Sequence, residues 1–553
     1  MLYCCMFVVF CRVFQFVFNL GARVLPWRKA ALVEGPGSIR EIPGLLLGQN
    51  VKKPLLVTDD GLVRAGIAGR VVGVLEKAGV SHAVFNDVEP NPSVNTVNAI
   101  QRLYLAEGCD GIIALGGGSS MDAAKGAAAR VARPGKSVRQ LSGLLKVLKR
   151  IPPFIAIPTT AGTGSETTIA ALITDTETSH KCAIMDLSLI PRHAILDPEL
   201  TVGLPPAISA ATGMDALTHA VEAYLCWTYN TGESIRLALE AVETIFANLE
   251  KVYADGSDME ARQAMLLASY KAGFAFTRAG VGNIHAIAHT LGGLYNTPHG
   301  LANAVLLPRV LEDYGRKVHK KLARLAKAAG LATGTGAKTN AEKARVFIDA
   351  VYAMNERMGI PRGFDCIKSE DIPRMVKWAG RESNPLYPVP VVFGRARFAR
   401  IIESLRLWKN SYRISGACTG CGACAKLCPV SAIAETGDAG NDAGRYAVNE
   451  RRCVGCGVCG RVCPKGAVVD SAGRTCTPEK RSRWPKPAIE AGVCSACSIC
   501  VNDCTAGALR ISLPQFRGDI DVHAELALPQ KCVGCALCES HCPLGAIRME
   551  VAE

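Results

Sequence analysis

Sixteen of the chain's 24 cysteines fall beyond residue 417, in four copies of the spacing C-x2-C-x2-C-x3-C. The copies are Cys418, Cys421, Cys424 and Cys428; Cys453, Cys456, Cys459 and Cys463; Cys494, Cys497, Cys500 and Cys504; and Cys532, Cys535, Cys538 and Cys542. Pro429, Pro464 and Pro543 follow three of them, and Thr505 takes that place in the third. Three thiolates so spaced wrap one corner of a cubane [4Fe–4S] cluster, while the fourth cysteine leads the chain away. Zinc ribbons instead show two C-x2-C pairs across a long gap, and a disulfide framework belongs to a secreted chain. Cys4, Cys5, Cys11, Cys109, Cys182, Cys226, Cys366 and Cys476 are scattered without pattern.

The copies pair off. Two motifs lie 24 residues apart within 409–470, and two lie 27 apart within 491–553. Residues 471–490 between them are polar, basic and proline-containing, which reads as a linker. The C-terminal quarter therefore resembles two bacterial-type two-cluster ferredoxin modules in tandem, small α+β units with four [4Fe–4S] clusters in all. In such modules the fourth cysteine ligates the other cluster. The resemblance thus implies that Cys463 joins Cys418, Cys421 and Cys424, and that Cys428 joins Cys453, Cys456 and Cys459. Cys504 and Cys542 would exchange in the same way. Thiolate clusters need a reducing compartment, so a cytoplasmic location is expected.

A second set of ligands lies upstream. Asp215 and His219 stand four apart, on one face of a predicted helix. His285 and His289 repeat that spacing, and His299 follows a glycine-rich turn. Four of the ten histidines fall within 81 residues. A carboxylate with imidazoles suits Fe(II) or Zn(II), with a position left open for substrate.

Both sets need scaffolds. Residues 26–205 alternate apolar strand-like runs with helical periodicity, the pattern of a parallel sheet with helices on its faces. Gly116, Gly117, Gly118 and Ser119 sit where the strand DGIIAL meets a helix, as a pyrophosphate-binding turn would. This is not G-x-G-x-x-G, so an ordinary Rossmann domain is not expected. Thr159, Thr160 and Thr163 crowd hydroxyls into the turn after the strand FIAI. Asp59 ends an earlier strand, where a carboxylate would accept from ribose hydroxyls and repel a 2′-phosphate, favouring NAD over NADP. Strand-like runs largely cease within 206–408, predicting an all-α domain there.

The segments GGGSSMD, PTTAGTGSE, ATGMDALTHAVEAY and NIHAIAHTLGGLYNTPHGLANAVLLP resemble the iron-containing (group III) alcohol dehydrogenases over about residues 30–406. That resemblance implies a dehydroquinate synthase-like pair of domains, α/β for NAD(P) and all-α for the metal. It implies Asp215, His219, His285 and His299 as metal ligands, with His289 near the substrate but not on the metal. The cofactor positions it carries over are Asp59, Asn91, Gly117, Gly118, Asp122, Thr159, Thr160, Thr168 and Lys181. Ala170 departs from an asparagine common in relatives. The implied chemistry is hydride transfer from a small alcohol to nicotinamide, or its reverse on an aldehyde, with the metal acidifying the hydroxyl and His289 relaying the proton.

Nicotinamide moves electrons in pairs and each cluster takes one, so the fusion requires something that splits a pair. No flavin fingerprint is present. The leading expectation is a dehydrogenase whose clusters dock it to a flavin-containing or iron–sulfur redox partner. An electron-transfer subunit anchored by its dehydrogenase half, and a cluster-based redox sensor, are the competing readings. A homo-oligomer is also expected.

Residues 1–25 hold the only long apolar run, 1–20, interrupted by Arg12 and Gln15. It has neither a positive leader nor a small-residue cleavage site, so a signal peptide is not expected. An apolar helix packed on the protein or a subunit interface, a helix lying on the membrane, and a span all fit. Arg23, Arg28 and Lys29 favour the cytoplasmic side for the remainder of the chain. The formal charge of +14 falls by roughly 8 once four clusters of about −2 each are loaded. With no recognition motif behind it, that charge does not point to nucleic acid.

Overall fold

The computed structural model describes residues 2–175, 180–331, 336–406, 412–436, 445–449, 452–470, 473–514, 516, 521–542 and 544–551, apart from the side chains of 2–5 and 180–181. The chain divides into two compact units: Met1–Pro361 with Trp378–Gly394, and Arg362–Lys377 with Arg395–Glu553.

The first unit begins with helix α1 (Leu2–Arg23). Strands β1 (Ala31–Glu34), β2 (Pro54–Val57), β3 (Ala83–Phe85), β4 (Gly111–Gly116), β5 (Phe154–Pro158) and β6 (His193–Leu196) form one sheet in the order β1-β6-β5-β4-β2-β3. Every pairing in it is parallel. Parallel sheets are covered on both faces, so central strands read as unbroken apolar runs; β2, β4 and β5 are buried along their whole length. Helix α2 (Ile67–Lys77) packs its Ala68, Val71 and Leu75 into one face. Helices α3 (Val94–Ala106) and α4 (Gly118–Ala132) cover the other, where the run of alanines in α4 lets it lie close. Gly116, at the exit of β4, has φ 145°, and a Cβ there would lie 2.5 Å from Ser120 Oγ. Only glycine makes that turn.

The helical half follows with α5 (Pro206–Leu225), α6 (Gly232–Ala254), α7 (Met259–Ala279), α8 (Asn283–Tyr295) and α9 (His299–Tyr314). Helix α5 is buried along nearly its whole C-terminal two-thirds, Asp215, His219 and Glu222 included. A helix buried on all sides can hold polar groups only where they meet partners.

The expectation for α1 resolves into an inverted arrangement. Its polar residues face the protein: Arg12 donates to the carbonyls of Val389 (2.7 Å) and Pro390 (3.0 Å), Gln15 to those of Pro385 and Tyr387, and Asn19 to that of Thr228. Met6, Val9, Phe10, Val13, Phe16, Val17 and Leu20 are exposed. By length and composition Met6–Arg23 is able to cross a membrane.

The second unit contains the cysteine motifs. Among the described residues, four two-stranded antiparallel ladders serve them: Arg413–Ile414 with Val468–Val469, Ile433–Glu435 with Tyr446–Val448, Lys486–Ile489 with Ile547–Glu550, and Leu509–Ile511 with Ala524–Leu526. The segment read as a linker is more than that. Lys486–Ile489 is a strand, and Trp484 just before it is 3% exposed, packed with Val458 and Val533. The polar average of 471–490 conceals one large apolar side chain, which is enough to order a short stretch by burial.

Candidate functional site

In the first unit, Asp215 and His219 lie one turn apart on α5, His285 near the start of α8, and His299 at the first position of α9. One ligand atom from each can be chosen so that all four lie within 4.8 Å of one another. Asp215, His219 and His285 are buried, whereas the His299 side chain is 33% exposed, so the group is open on one side. The approach of α9 depends on Gly300, where a Cβ would lie 2.3 Å from the Ala211 carbonyl oxygen of α5.

The donors fit a cation. Asp215 Oδ1, His285 Nε2 and His299 Nε2 lie 2.6, 3.1 and 3.2 Å from the amide nitrogen of Asn303. An amide has two hydrogens, too few for three acceptors. Behind them, Glu222 accepts from the N–H groups of Gly282 and Ile284 (2.8 Å each) and meets His285 Nδ1 at 2.6 Å. Burial holds His285 well below the usual histidine range and pushes Glu222 up to about 8. A neutral His285 that gives its Nδ1 hydrogen to Glu222 turns the Nε2 lone pair toward Asp215, as ligand histidines do.

His289, one turn beyond His285, lies outside this group. Its ring stacks on His299 at 5.1 Å, and its Nδ1 meets Glu382 Oε1 at 2.5 Å. The Tyr387 hydroxyl donates to the same oxygen at 2.8 Å, and burial holds that phenol far above its ordinary range, so it stays protonated. Glu382 therefore fixes the His289 ring by one nitrogen.

The residues expected around a nucleotide divide in two. Asp59 caps the short helix Asp60–Arg64 by accepting from Leu62 N–H at 3.0 Å, and accepts from Ser120 Oγ at 3.4 Å. A Cβ on Gly117 would lie 3.3 Å from Thr160 Oγ1, and one on Gly118 would lie 2.9 Å from the Thr163 methyl. The Thr159–Thr163 turn therefore stands directly over the uncapped start of α4. Asn91 N–H reaches Ser119 Oγ at 3.4 Å, and its amide donates to Asn296 at the end of α8. Thr159 is buried, with its N–H on the Gly116 carbonyl.

Asp122 and Thr168 hold the loop together. Asp122 accepts from Ser165 Oγ and Leu172 N–H. Thr168 Oγ1 accepts from Lys125 Nζ at 2.8 Å, and Lys125 also donates to the carbonyls of Ser165, Thr168 and Ala170. Complete burial lowers Lys125 to about 8 and raises nearby Glu166 to about 7. Lys181 lies on the strand His180–Met185, and its side chain is outside the described residues.

In the second unit the cysteines group across motifs. Cys418, Cys421, Cys424 and Cys463 line one cavity, Cys494, Cys497, Cys500 and Cys542 another, and Cys504, Cys532, Cys535 and Cys538 a third. Cys456, pushed up to about 11 by burial, lies among Cys428, Cys453 and Cys535. In all four motifs the residue after the second cysteine has positive φ: Gly422, Gly457, Ser498 and Ala536. Each fourth cysteine sulfur accepts from the N–H four residues on: Ala432, Ala467, Ala508 and Ala546, at 3.1 to 3.3 Å.

Residues 30–198 match the family model described as iron-containing alcohol dehydrogenase, and 209–405 match the C-terminal model of the same family. Alcohol dehydrogenase 4 of Saccharomyces cerevisiae is 36% identical over 373 residues, 67% of this chain and 95% of that protein. This chain belongs to the iron-containing alcohol dehydrogenase family. The 1,3-propanediol dehydrogenase of Klebsiella pneumoniae is 40% identical over 60% of the chain and 86% of its own length. The crystal structure of a 1,3-propanediol oxidoreductase superposes with a TM-score of 0.66 at 35% identity, covering 69% of this chain and all of that one. Residues 417–467 and 493–547 each match a 4Fe-4S dicluster domain. The protein is thus an oxidoreductase of the iron-containing alcohol dehydrogenase family followed by two dicluster domains.

Glu222, Asn303, Glu382, Tyr387 and Lys125 escaped the sequence reading. Glu222 extends Asp215 and His219 along one helical face, and Asn303 stands four beyond His299, so spacing carried a signal for both. Nothing local marks Glu382 or Tyr387, which come to His289 from 93 and 98 positions along the chain.

Proposed function

We propose that the first unit oxidises a small alcohol with NAD, or reduces the matching aldehyde, using a metal held by Asp215, His219, His285 and His299, and that the sixteen motif cysteines hold four [4Fe–4S] clusters. The convergence of four metal-type donors, three of them buried, carries this reading. When bound, the metal polarises the substrate oxygen and the nicotinamide carries the hydride. Glu222 holds His285 by Nδ1 and keeps its ring correctly turned, while burial keeps that ring neutral. Glu382 holds His289 by Nδ1, leaving Nε2 to exchange a proton with substrate or solvent. Asp59 accepts from the adenosine ribose, which supports NAD over NADP, and the N–H groups at the start of α4 receive the pyrophosphate.

The clusters connect this chemistry to a one-electron partner, flavin-containing or iron–sulfur. Sixteen thiolate ligands belong in a reducing compartment, which supports a cytoplasmic location. Helix α1 lies on the cytoplasmic membrane surface in this reading. Its polar residues are committed to hydrogen bonds within the first unit, which a spanning orientation would break. Deleting residues 1–24 should release the protein from membranes, and unchanged partitioning would remove that part.

The test of the enzyme reading is anaerobic. The chain, loaded with Fe(II) and sulfide, is given NAD and a panel of alcohols. Alcohol-dependent NADH formation without bleaching of the cluster absorbance is expected. Metal-loaded protein that reduces no NAD with any alcohol would defeat the dehydrogenase reading.

A further inference from the structure

The two dicluster modules meet at a packed joint. Val458, Trp484 and Val533 form its buried centre, and Leu427, Cys456, Val462 and Cys535 pack around it. Arg461 crosses the joint: one of its nitrogens donates to the Cys456 carbonyl and to the Gly534 carbonyl, at 2.9 Å each. Within the second module, Lys486 donates to the Cys532 carbonyl at 2.9 Å, tying the strand after Trp484 to the last motif. A Cβ on Gly534 would lie 2.8 Å from the Pro485 carbonyl oxygen, so the backbone approaches closely there as well. The second motif of the first module and the last motif of the second therefore share one interface.

Exposure sorts the same way. Among the described cysteines, Cys421 and Cys497 are the only exposed ones, and they belong to the two groups whose cysteines are not packed at the joint. Every cysteine of the two inner groups is buried or half-buried.

We infer that the four clusters stand in series: Cys418/Cys421/Cys424/Cys463, then Cys453/Cys456/Cys459/Cys428, then Cys532/Cys535/Cys538/Cys504, then Cys494/Cys497/Cys500/Cys542. Electrons cross between modules at Cys456 and Cys535, and exchange with external one-electron carriers at the Cys421 and Cys497 faces. Each step oxidises one cluster by one electron and reduces its neighbour by one, and no bond or proton moves. Tunnelling falls steeply with distance, so electrons cross where the described residues bring the modules into contact, at the joint around Trp484. This order rests on the reading that the sixteen cysteines hold four clusters.

The experiment uses the full chain loaded with iron and sulfide, reduced with dithionite and examined by electron paramagnetic resonance. Iron and sulfide are counted first, because a total far below four cubanes plus the catalytic metal refutes the cluster reading itself, separately from the order. The double variants C453A/C456A and C532A/C535A should each abolish spin coupling between modules. C418A/C421A and C494A/C497A should each remove one cluster and leave that coupling in place. The reverse pattern overturns the order. Where a variant loses a whole module, the unsubstituted protein decides: a soluble dysprosium chelate should speed relaxation of half the cluster spins several-fold more than the other half. Equal enhancement of all four would refute the inference.

Discussion

The Asp/His group of the first unit and the motif cysteines of the second are both sets of metal-type donors, yet they are built in opposite ways. Each cavity-lining cysteine group takes three members from one seven-residue stretch and a single cysteine from the partner motif. Short turns bring those three together, with a left-handed residue after the second cysteine of every motif. The catalytic group takes its donors from three helices spread over residues 215 to 299, and its geometry depends on how α5, α8 and α9 pack. A site made of local turns survives changes elsewhere. A site made by packing is exposed to every residue that sets the helices, which explains why the catalytic donors have buried supports such as Glu222 and Asn303.

Separate substitutions should break one set and spare the other. The largest effect is expected from Asp215→Ala or His285→Ala. Either should remove the catalytic metal and reduce alcohol oxidation by several kcal/mol of barrier, a factor of roughly a thousand or more. Cluster iron and absorbance should stay unchanged, and metal analysis with visible spectroscopy checks both. Loss of cluster iron in these variants would show that the two sets are not independent.

Glu382→Gln should come next. It leaves all four donors in place but removes the carboxylate that holds His289 Nδ1. A fall in turnover of about a hundredfold is expected with metal content intact, together with a changed pH profile. An unaltered profile would make His289 a packing residue. Glu222→Gln should act on the metal instead, weakening its affinity about 10- to 100-fold, as read by competition with a chelator.

Lys125→Met should produce the smallest change, and in stability instead of chemistry. Three carbonyls and one hydroxyl would lose their shared donor, costing about 1–3 kcal/mol. The pH dependence has a definite sign. Lys125 sits near 8 in the fold against an ordinary 10.5. Between those values the unfolded chain holds more protons, so this group's contribution to stability increases as pH rises. The methionine variant should lose that part of the slope in thermal melts of the first unit between pH 8 and 10.5.

The same contrast explains what could be read in the chain. The alternation of strands and helices over 26–205 was legible because a parallel sheet buried on both faces leaves unbroken apolar runs such as those of β4 and β5. Asp215 with His219, and His285 with His289, were legible as helical pairs. Which member of the second pair joins Asp215 was not, since both stand on one face of α8; the resemblance implied it, and the fold puts His285 in the buried group and His289 beside Glu382. The bonds that Asp122 and Thr168 make to Ser165 and Lys125 were not legible, because they join residues 43 positions apart and no local period marks them. Trp484 was hidden in a segment whose average is polar.

By itself, the sequence determined the number and kind of donors, because cysteine spacing within a turn and histidine spacing within a helix are set by backbone geometry alone. Only the tertiary structure decided which donors meet. It turned the polar residues of α1 inward, gathered Glu222 and Asn303 behind the catalytic group, and closed the joint at Trp484 around Cys456 and Cys535. Those outcomes depend on burial and polar satisfaction between residues far apart in the chain, and no local period encodes them.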